Sequence, residues 1–383
     1  MTVRVGLIGA GGHGKWHRRR LAELAADGMV ELTGMADPAP IEEMVLPSAE
    51  SGAVAGPRMA GVPVFTDHRE LLTSVPIDVV VICTPPHTHL PIALDALETG
   101  CDLLLEKPPV VSPAEHEVLT AALASTGRAC QIGFQALGSA ALARLTEAVA
   151  GGALGEIHHV ATVASWQRAD VYYRRAAWAG RQGLGDGALV NPLAHALMQS
   201  LAVAGDDPVT LTAERYRTRP IATDDTAFAR VELRGGTTLT AAVTLAGEDF
   251  IAGEVIVTGD AGRAVLEYPT DRLLLPGSPF ADVPGRVDLL TNLIEHRRDG
   301  TPLLAPLACT LGFTRLAAAL TAGPVPRLVD DSRITDHGTG DDRVRVITGI
   351  NSVLRRVADT GLLPSELDVP WAHPESAVQM TLA

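Results

Sequence analysis

The sequence predicts an α/β chain in two parts. Residues 1–135 read as a doubly wound parallel sheet, and residues 136–383 as an α+β domain built on one meandering sheet. Three observations carry this. A G-x-G-x-x-G run lies between a short β-rich stretch and a helical pattern. Short, almost wholly apolar runs then alternate with helical stretches as far as Phe134. Beyond it, β-rich runs follow one another across turn signals.

In chain order, Val3–Ile8 is the first strand. It meets Gly9-Ala10-Gly11-Gly12-His13-Gly14. Gly9 permits a tight turn, Gly11 lets the backbone approach a pyrophosphate, and Gly14 lets the next helix pack close to the strand. Gly12 and His13 lie in the same loop and belong to the same expected cofactor contact. The helix is expected to bury Trp16, Leu21, Leu24 and Ala25, and its amino terminus offers N–H groups and a positive dipole end to phosphates. The second strand, 30–36, ends at Asp37, placed to accept hydrogen bonds from an adenosine ribose. A carboxylate there repels a 2′-phosphate, so NAD is expected in preference to NADP. Arg58, on a later loop, is the one residue that argues the other way.

Residues 38–61 read as a long irregular connection. A short strand follows at 62–65, then a helix capped by Asp67. Ile77–Cys83 is apolar enough for a strand covered on both faces. At its carboxyl end comes Thr84-Pro85-Pro86-His87-Thr88-His89, expected beside the dinucleotide. A helix over 90–99 should bury Leu90, Ala93, Leu94 and Leu97. The strand Leu103-Leu104-Leu105 then runs into Glu106-Lys107-Pro108-Pro109. Pro108 fixes its own φ and removes a donor, so Lys107 sits on a stiff corner at a strand's carboxyl end, where open α/β sheets bind ligands. Ser112 and Pro113 open the next helix, and 129–134 is the sixth strand.

In the second half, Ile157–Ser165, Val209–Arg217, Ala227–Leu233, Thr237–Leu245, Glu254–Thr258 and Arg263–Tyr268 are strand candidates. Val287–Arg297, Leu307–Leu320 and Val344–Ala358 read as helices that cover a face or return to the first domain.

Composition narrows the function. The net charge of −14 argues against nucleic acid or an anionic membrane surface, since both need a basic footprint. Neither a secretory signal nor an apolar run near the ~20 residues that span a bilayer is evident, so a cytoplasmic protein is expected. Cys83, Cys101, Cys130 and Cys309 lack C-x-x-C spacing and read as small buried hydrophobes, with no metal site expected.

With Gly9–Gly14, Thr84-Pro85-Pro86 with His89, Glu106-Lys107-Pro108, Gly133-Phe134-Gln135 and a helix holding His195 in place, the sequence resembles the glucose–fructose oxidoreductase / inositol dehydrogenase family, Gfo/Idh/MocA. The resemblance covers nearly the whole chain. It implies an N-terminal Rossmann domain and a C-terminal domain with a large, mostly antiparallel sheet. It implies hydride transfer at a carbon of a sugar, cyclitol or related polyol. Lys107 and His195 would stand at the reacting carbon, and Glu106 and Gln135 would join the cofactor contacts. Assembly as a homo-dimer or homo-tetramer through a sheet face left open by helices is a further implication.

Two stretches of the second half bear on substrate. Trp166-Gln167-Arg168 through Tyr172-Tyr173-Arg174-Arg175 to Trp178 holds two of the chain's four Trp and two of its four Tyr. Aromatic faces stack on sugar rings, and Arg and Tyr bond hydroxyls or a carboxylate. Trp166, Tyr173, Arg174 and Trp178 are the chosen contacts, with Arg174 and Tyr173 preferred to Arg175. Second, Asn191, His195 and Gln199 are spaced by four, a polar stripe on an apolar helix that Asn191 is expected to cap or kink. Many family members carry Asp four residues before this histidine. Asn191 here can orient a substrate but cannot relay a proton.

His195 needs no pKa shift to act as acid/base near neutrality, whereas a free lysine, near ~10.4, does. His195 is therefore expected to move the proton and Lys107 to hold the oxygen's charge. Two alternatives are an NAD-recycling, redox-neutral glycosidase and a non-enzymatic NAD-bound sensor.

Overall fold

The computed structural model describes residues 2–41, 45–48, 52–55 and 61–382. The chain divides into two compact units. The first comprises residues 1–110, 114–133 and 289–308; the second comprises 111–113, 134–288 and 309–383.

The first unit is a six-stranded, all-parallel sheet. Its strands are β1 (Val3–Ile8), β2 (Val30–Ala36), β5 (Val64–Phe65), β6 (Val79–Ile82), β7 (Asp102–Leu105) and β8 (Cys130–Ile132), in spatial order β5-β2-β1-β6-β7-β8. This is the doubly wound order, with chain reversal between β1 and β6. Every residue of β6 and β7 is buried, as expected when helices cover both faces. Each buried leucine of β7 contributes roughly 1.5–3 kcal/mol by leaving water.

Several details depart from expectation. Trp16 and Ala25 are exposed; helix Gly14–Ala26 instead buries Gly14, Arg18, Leu21 and Leu24. Helix His89–Glu98 buries His89, Ile92, Ala93, Ala96 and Leu97, so its inner face is turned away from Leu90 and Leu94. The connection 38–61 contains two short antiparallel strands, β3 (Val45–Ser48) and β4 (Gly52–Ala55). Arg58 lies outside the described residues. Asp67 does cap its helix, accepting from the Arg69 N–H at 2.8 Å. Residues 289–308 belong to this unit because they cover the β8 edge. Gln131 donates to Asn292 Oδ1 at 2.6 Å and accepts from the Ala305 N–H at 2.9 Å, while the Ile132 N–H reaches the Ala305 carbonyl.

The second unit carries a ten-stranded sheet. Its strands are β9 (Ile157–Gln167), β10 (Pro208–Arg217), β11 (Thr226–Leu233), β12 (Thr238–Thr244), β13 (Ala246–Gly259), β14 (Gly262–Glu267), β15 (Arg272–Leu274), β16 (Ala281–Asp282), β17 (Arg327–Leu328) and β20 (Ala377–Thr381). They run β16-β15-β14-β13-β9-β12-β11-β10-β17, with β20 also paired to β10. Only the β9–β12 and β10–β17 pairings are parallel. A separate hairpin joins β18 (Ile334–His337) to β19 (Val344–Ile347). Helix Ile350–Thr360 follows, so the helix expected over 344–358 begins later, after a strand.

The sheet centre is covered on both faces. Ala161 and Val163 of β9 pack with Ile350, Val353, Leu354 and Val357 on one side. Thr162, pointing the other way, is hydrogen-bonded at 2.6 Å to Ser200 of helix Ala194–Ala204. Residues 160–165 are buried without a break. Among the cysteines, Cys101 and Cys130 are buried, Cys83 is half-buried, and Cys309 is exposed, contrary to expectation.

Candidate active site

In the first unit, main-chain geometry makes the site. Gly9 has φ +86°, and a Cβ there would strike the Cys83 carbonyl. A Cβ at Gly14 would run into the Gly9 carbonyl. Gly12, at φ +47°, has open space where a side chain would stand. The turn is thus a bare concavity in front of a helix amino terminus, the shape and polarity that a pyrophosphate fits. Asp37, at the end of β2, accepts from the Gly11 N–H and the Ala39 N–H, each at 2.9 Å. Its carboxylate is fixed at the rim of the glycine turn.

The Glu106-Lys107 corner follows β7, and the Lys107–Pro108 bond is cis. Glu106 is 5% exposed. Its Oε1 bonds His17 Nε2 at 2.8 Å and lies 3.9 Å from His13 Nε2, while Oε2 accepts from the Lys107 N–H at 3.1 Å. Burial alone would push its carboxyl up. The His17 hydrogen bond and the charges of His17, His13 and Lys107 outweigh burial and hold it at about 2. His13, half-exposed, is itself pushed down by burial against the pull of Glu106. His17, one helical turn beyond His13, was missed in the sequence; its i+4 spacing from His13 was the available signal. The ligand-capable atoms of His13, His17 and Glu106 lie within 4.8 Å of one another, a donor set that cysteine spacing could not reveal.

Lys107 is one of two lysines, the other being Lys15, in a chain with 31 basic residues. Arginine is this chain's ordinary cation. A lysine at the strand-end corner supplies what arginine does not, a compact, point-like ammonium.

Thr84 and Pro85 close β6, and the Thr84 hydroxyl accepts from that of Thr88 at 2.8 Å. His89 corrects the expectation of a cofactor contact. It has no exposed surface, and its ring nitrogens each lie 2.9 Å from a main-chain carbonyl, Nδ1 from Pro108 and Nε2 from Thr84. It braces the Thr84 turn to the Lys107 turn.

In the second unit, Gln135 is exposed on a single helical turn after Phe134. His195 is half-buried in the first turn of helix Ala194–Ala204, with Phe134 edge-on at 5.8 Å and the Tyr268 ring at 6.1 Å. Gln199 donates to the Ala136 carbonyl at 2.7 Å. Asn191 neither caps nor continues this helix, which starts at Ala194. It lies in the preceding turn and donates to Asp186 at 3.1 Å. Asp186, 3% exposed, also receives Arg175 at 3.1 Å and the Gly180 N–H at 2.8 Å. Asp186, absent from the expected set, is the hub.

The aromatic arm is reordered too. Tyr173 is buried under the Arg219 guanidinium, 4.5 Å from its ring, so it is packing and not a surface contact. Arg174 is exposed and paired with Asp341. Arg175, the less favoured, stacks on Tyr172 at 3.9 Å and on Trp178 at 4.6 Å. Trp166 donates to the Ala252 carbonyl at 2.8 Å and packs with Ala136, Ala196 and Tyr268.

In the first unit the glycine turn and the Glu106-Lys107 corner each follow a strand of one parallel sheet; in the second, His195 stands in the first turn of a helix. Residues 3–134 match the family described as oxidoreductase family, NAD-binding Rossmann fold, and residues 142–265 match the Gfo/Idh/MocA C-terminal domain. The chain belongs to the Gfo/Idh/MocA family, and its first unit is an NAD-binding Rossmann domain. Inositol 2-dehydrogenase 4 of Saccharopolyspora erythraea is 33% identical over 154 residues, 40% of this chain and 42% of that protein. D-glucoside 3-dehydrogenase of Escherichia coli is 30% identical over 145 residues, 37% of this chain and 40% of that protein. The match therefore spans less than half of either relative. The WlbA dehydrogenase of Bordetella pertussis, solved with NADH and UDP-GlcNAcA, superposes with a TM-score of 0.70 at 22% identity, over 86% of this chain and all of that one. That likeness shows the fold. Among the described residues no helix is long and apolar enough to cross a membrane.

Proposed function

We propose that this protein is an NAD-dependent dehydrogenase or reductase acting on a secondary alcohol or carbonyl of a sugar, cyclitol or related polyol in the cytoplasm. The observation that carries it is the buried Glu106. Through His17 it ties the helix of the glycine turn to the corner that presents Lys107. Glycine-turn helix and lysine corner thereby share one buried carboxylate. Gly9, Gly11, Gly12 and Gly14 would hold the pyrophosphate, and Asp37 the adenosine ribose, which favours NAD over NADP.

NAD, when bound, supplies the acceptor or donor of hydride. His195 takes the hydroxyl proton on oxidation and returns it on reduction. Lys107 holds the charge that develops on the substrate oxygen. Asn191 orients hydroxyls, and the Trp166 and Trp178 faces offer ring-stacking area. The names of the relatives, an inositol and a glucoside dehydrogenase among them, support the same substrate class.

The test is absorbance of NADH across sugars, cyclitols and sugar acids, with NAD and NADP in parallel. Turnover with NAD is expected. Turnover with NADP alone would overturn the role of Asp37. Silence across the panel, with NAD bound in a thermal-shift control, would overturn the dehydrogenase reading.

A further inference from the structure

Arg168 follows β9 and was not among the expected contacts. Its guanidinium carbon lies 4.9 Å from the Trp166 ring and 5.4 Å from the Tyr172 ring. Nη1 donates to the Gln167 carbonyl at 2.9 Å. The main chain beneath is pinned: the Arg168 N–H donates to the Leu245 carbonyl at 3.0 Å, and the Arg168 carbonyl receives Arg219 Nη1 at 3.1 Å.

What Arg168 lacks is a carboxylate. Its neighbours Arg174, Arg175 and Arg219 are set against Asp341, Asp186 and Asp170 respectively. No acidic group among the described residues pairs with Arg168. In a chain of net charge −14, Arg168 is half-exposed with no carboxylate set against it among the described residues. Its position is specific. Trp166, on which it stacks, packs against Tyr268, and the Tyr268 ring lies 6.1 Å from that of His195. The cation thus stands one aromatic layer from the expected acid/base. Stacking fixes the guanidinium plane, so its fork loses little freedom on meeting a planar or tetrahedral oxyanion.

We propose that Arg168 reads an oxyanion substituent, a carboxylate or a phosphate, on the sugar or cyclitol substrate. This rests on the polyol oxidoreductase reading and narrows it to acidic substrates.

The experiment measures binding, so that it does not depend on turnover. NADH-saturated protein is titrated by calorimetry with glucose, galactose and mannose, their uronates and their 6-phosphates. At least one acid is expected to bind ~10–100-fold more tightly than its parent sugar, the worth of a charge-assisted bidentate pair. Uronate and phosphate arms distinguish the two sources. In Arg168→Gln that ratio should fall towards one, and in Arg168→Lys it should be partly kept; both variants are first checked for a wild-type unfolding midpoint. The proposal is overturned if no acid outbinds its parent, if nothing in the panel binds, or if Arg168→Gln keeps the ratio. Arg168-dependent binding without NADH formation would instead sink the dehydrogenase reading while leaving the anion site standing.

Discussion

The two units hold their candidate chemistry by different means. In the first, the decisive positions are main-chain ones: a turn that admits no Cβ at Gly9 or Gly14, and a corner at the end of β7 whose lysine is set by a buried carboxylate. In the second, side chains hold side chains. Asp186 gathers Asn191, Arg175 and the Gly180 N–H, and aromatic rings carry guanidinium groups. The glycine turn follows from spacing along the chain, because it joins its own strand and helix; the Glu106 corner does not, since its partner His17 lies 89 positions away. The second arrangement depends on which way side chains 2 to 11 positions apart turn within an irregular segment.

The largest expected effect breaks the first unit at its chemical end. Lys107→Met should lower kcat by ~10²–10⁴-fold while leaving NAD affinity, read by protein fluorescence, close to wild type. A variant that kept most of its turnover would show that the lysine is merely a strand-end cation.

Gly14→Ala tests the cradle. The added methyl group must displace the Gly9 carbonyl, so the turn has to open. NAD affinity should fall by at least ~10-fold, and stability by ~1–3 kcal/mol, as for other forced overpacking. Calorimetry with NAD and denaturant melts check both. Unchanged affinity would mean that the turn is softer than the comparison requires.

That contrast also explains what was legible in the sequence. The glycine turn, Asp37 and Lys107 were readable because strand, turn and helix are consecutive. The six strands of the parallel sheet were readable for the same reason. Tyr173 is not the surface contact that composition suggests, because composition marks an arm but not which of its faces is buried; Arg219, 46 residues on, decides that by covering Tyr173. His89 was misjudged because a strand-end position implies ligand, whereas the Pro108 carbonyl captures its ring. Two-sided cover of β9 became visible only with Thr162 bonded to Ser200 and Val163 packed on the helix at 350–360.

Glu106→Gln sharpens the first unit's side of the comparison further. The folded carboxyl is held at about 2, below its ordinary 4.5. A lowered carboxylate pKa contributes stability that is complete above about 4.5 and lost as pH falls towards 2. Wild-type unfolding midpoints should therefore drop across that window more steeply than those of Glu106→Gln, which should also start lower at pH 7. Parallel curves would show that Glu106 is not held as an ion by His17.

The smallest expected effect separates Arg174 from Arg175 within the arm. Arg174 is exposed, and its only ionic partner among the described residues is the exposed Asp341. Such surface pairs contribute roughly 0–1 kcal/mol once side-chain ordering and salt screening are counted. Arg175 is lodged between Tyr172 and Trp178 and bonded to the buried Asp186, so its loss leaves a carboxylate without its cation. Arg174→Ala should thus change the unfolding midpoint and KM by less than the scatter of replicate measurements, while Arg175→Gln lowers the midpoint and raises KM. The reverse order would return the arm to the reading drawn from composition, with Arg174 as the substrate contact and Asp341 its resting partner.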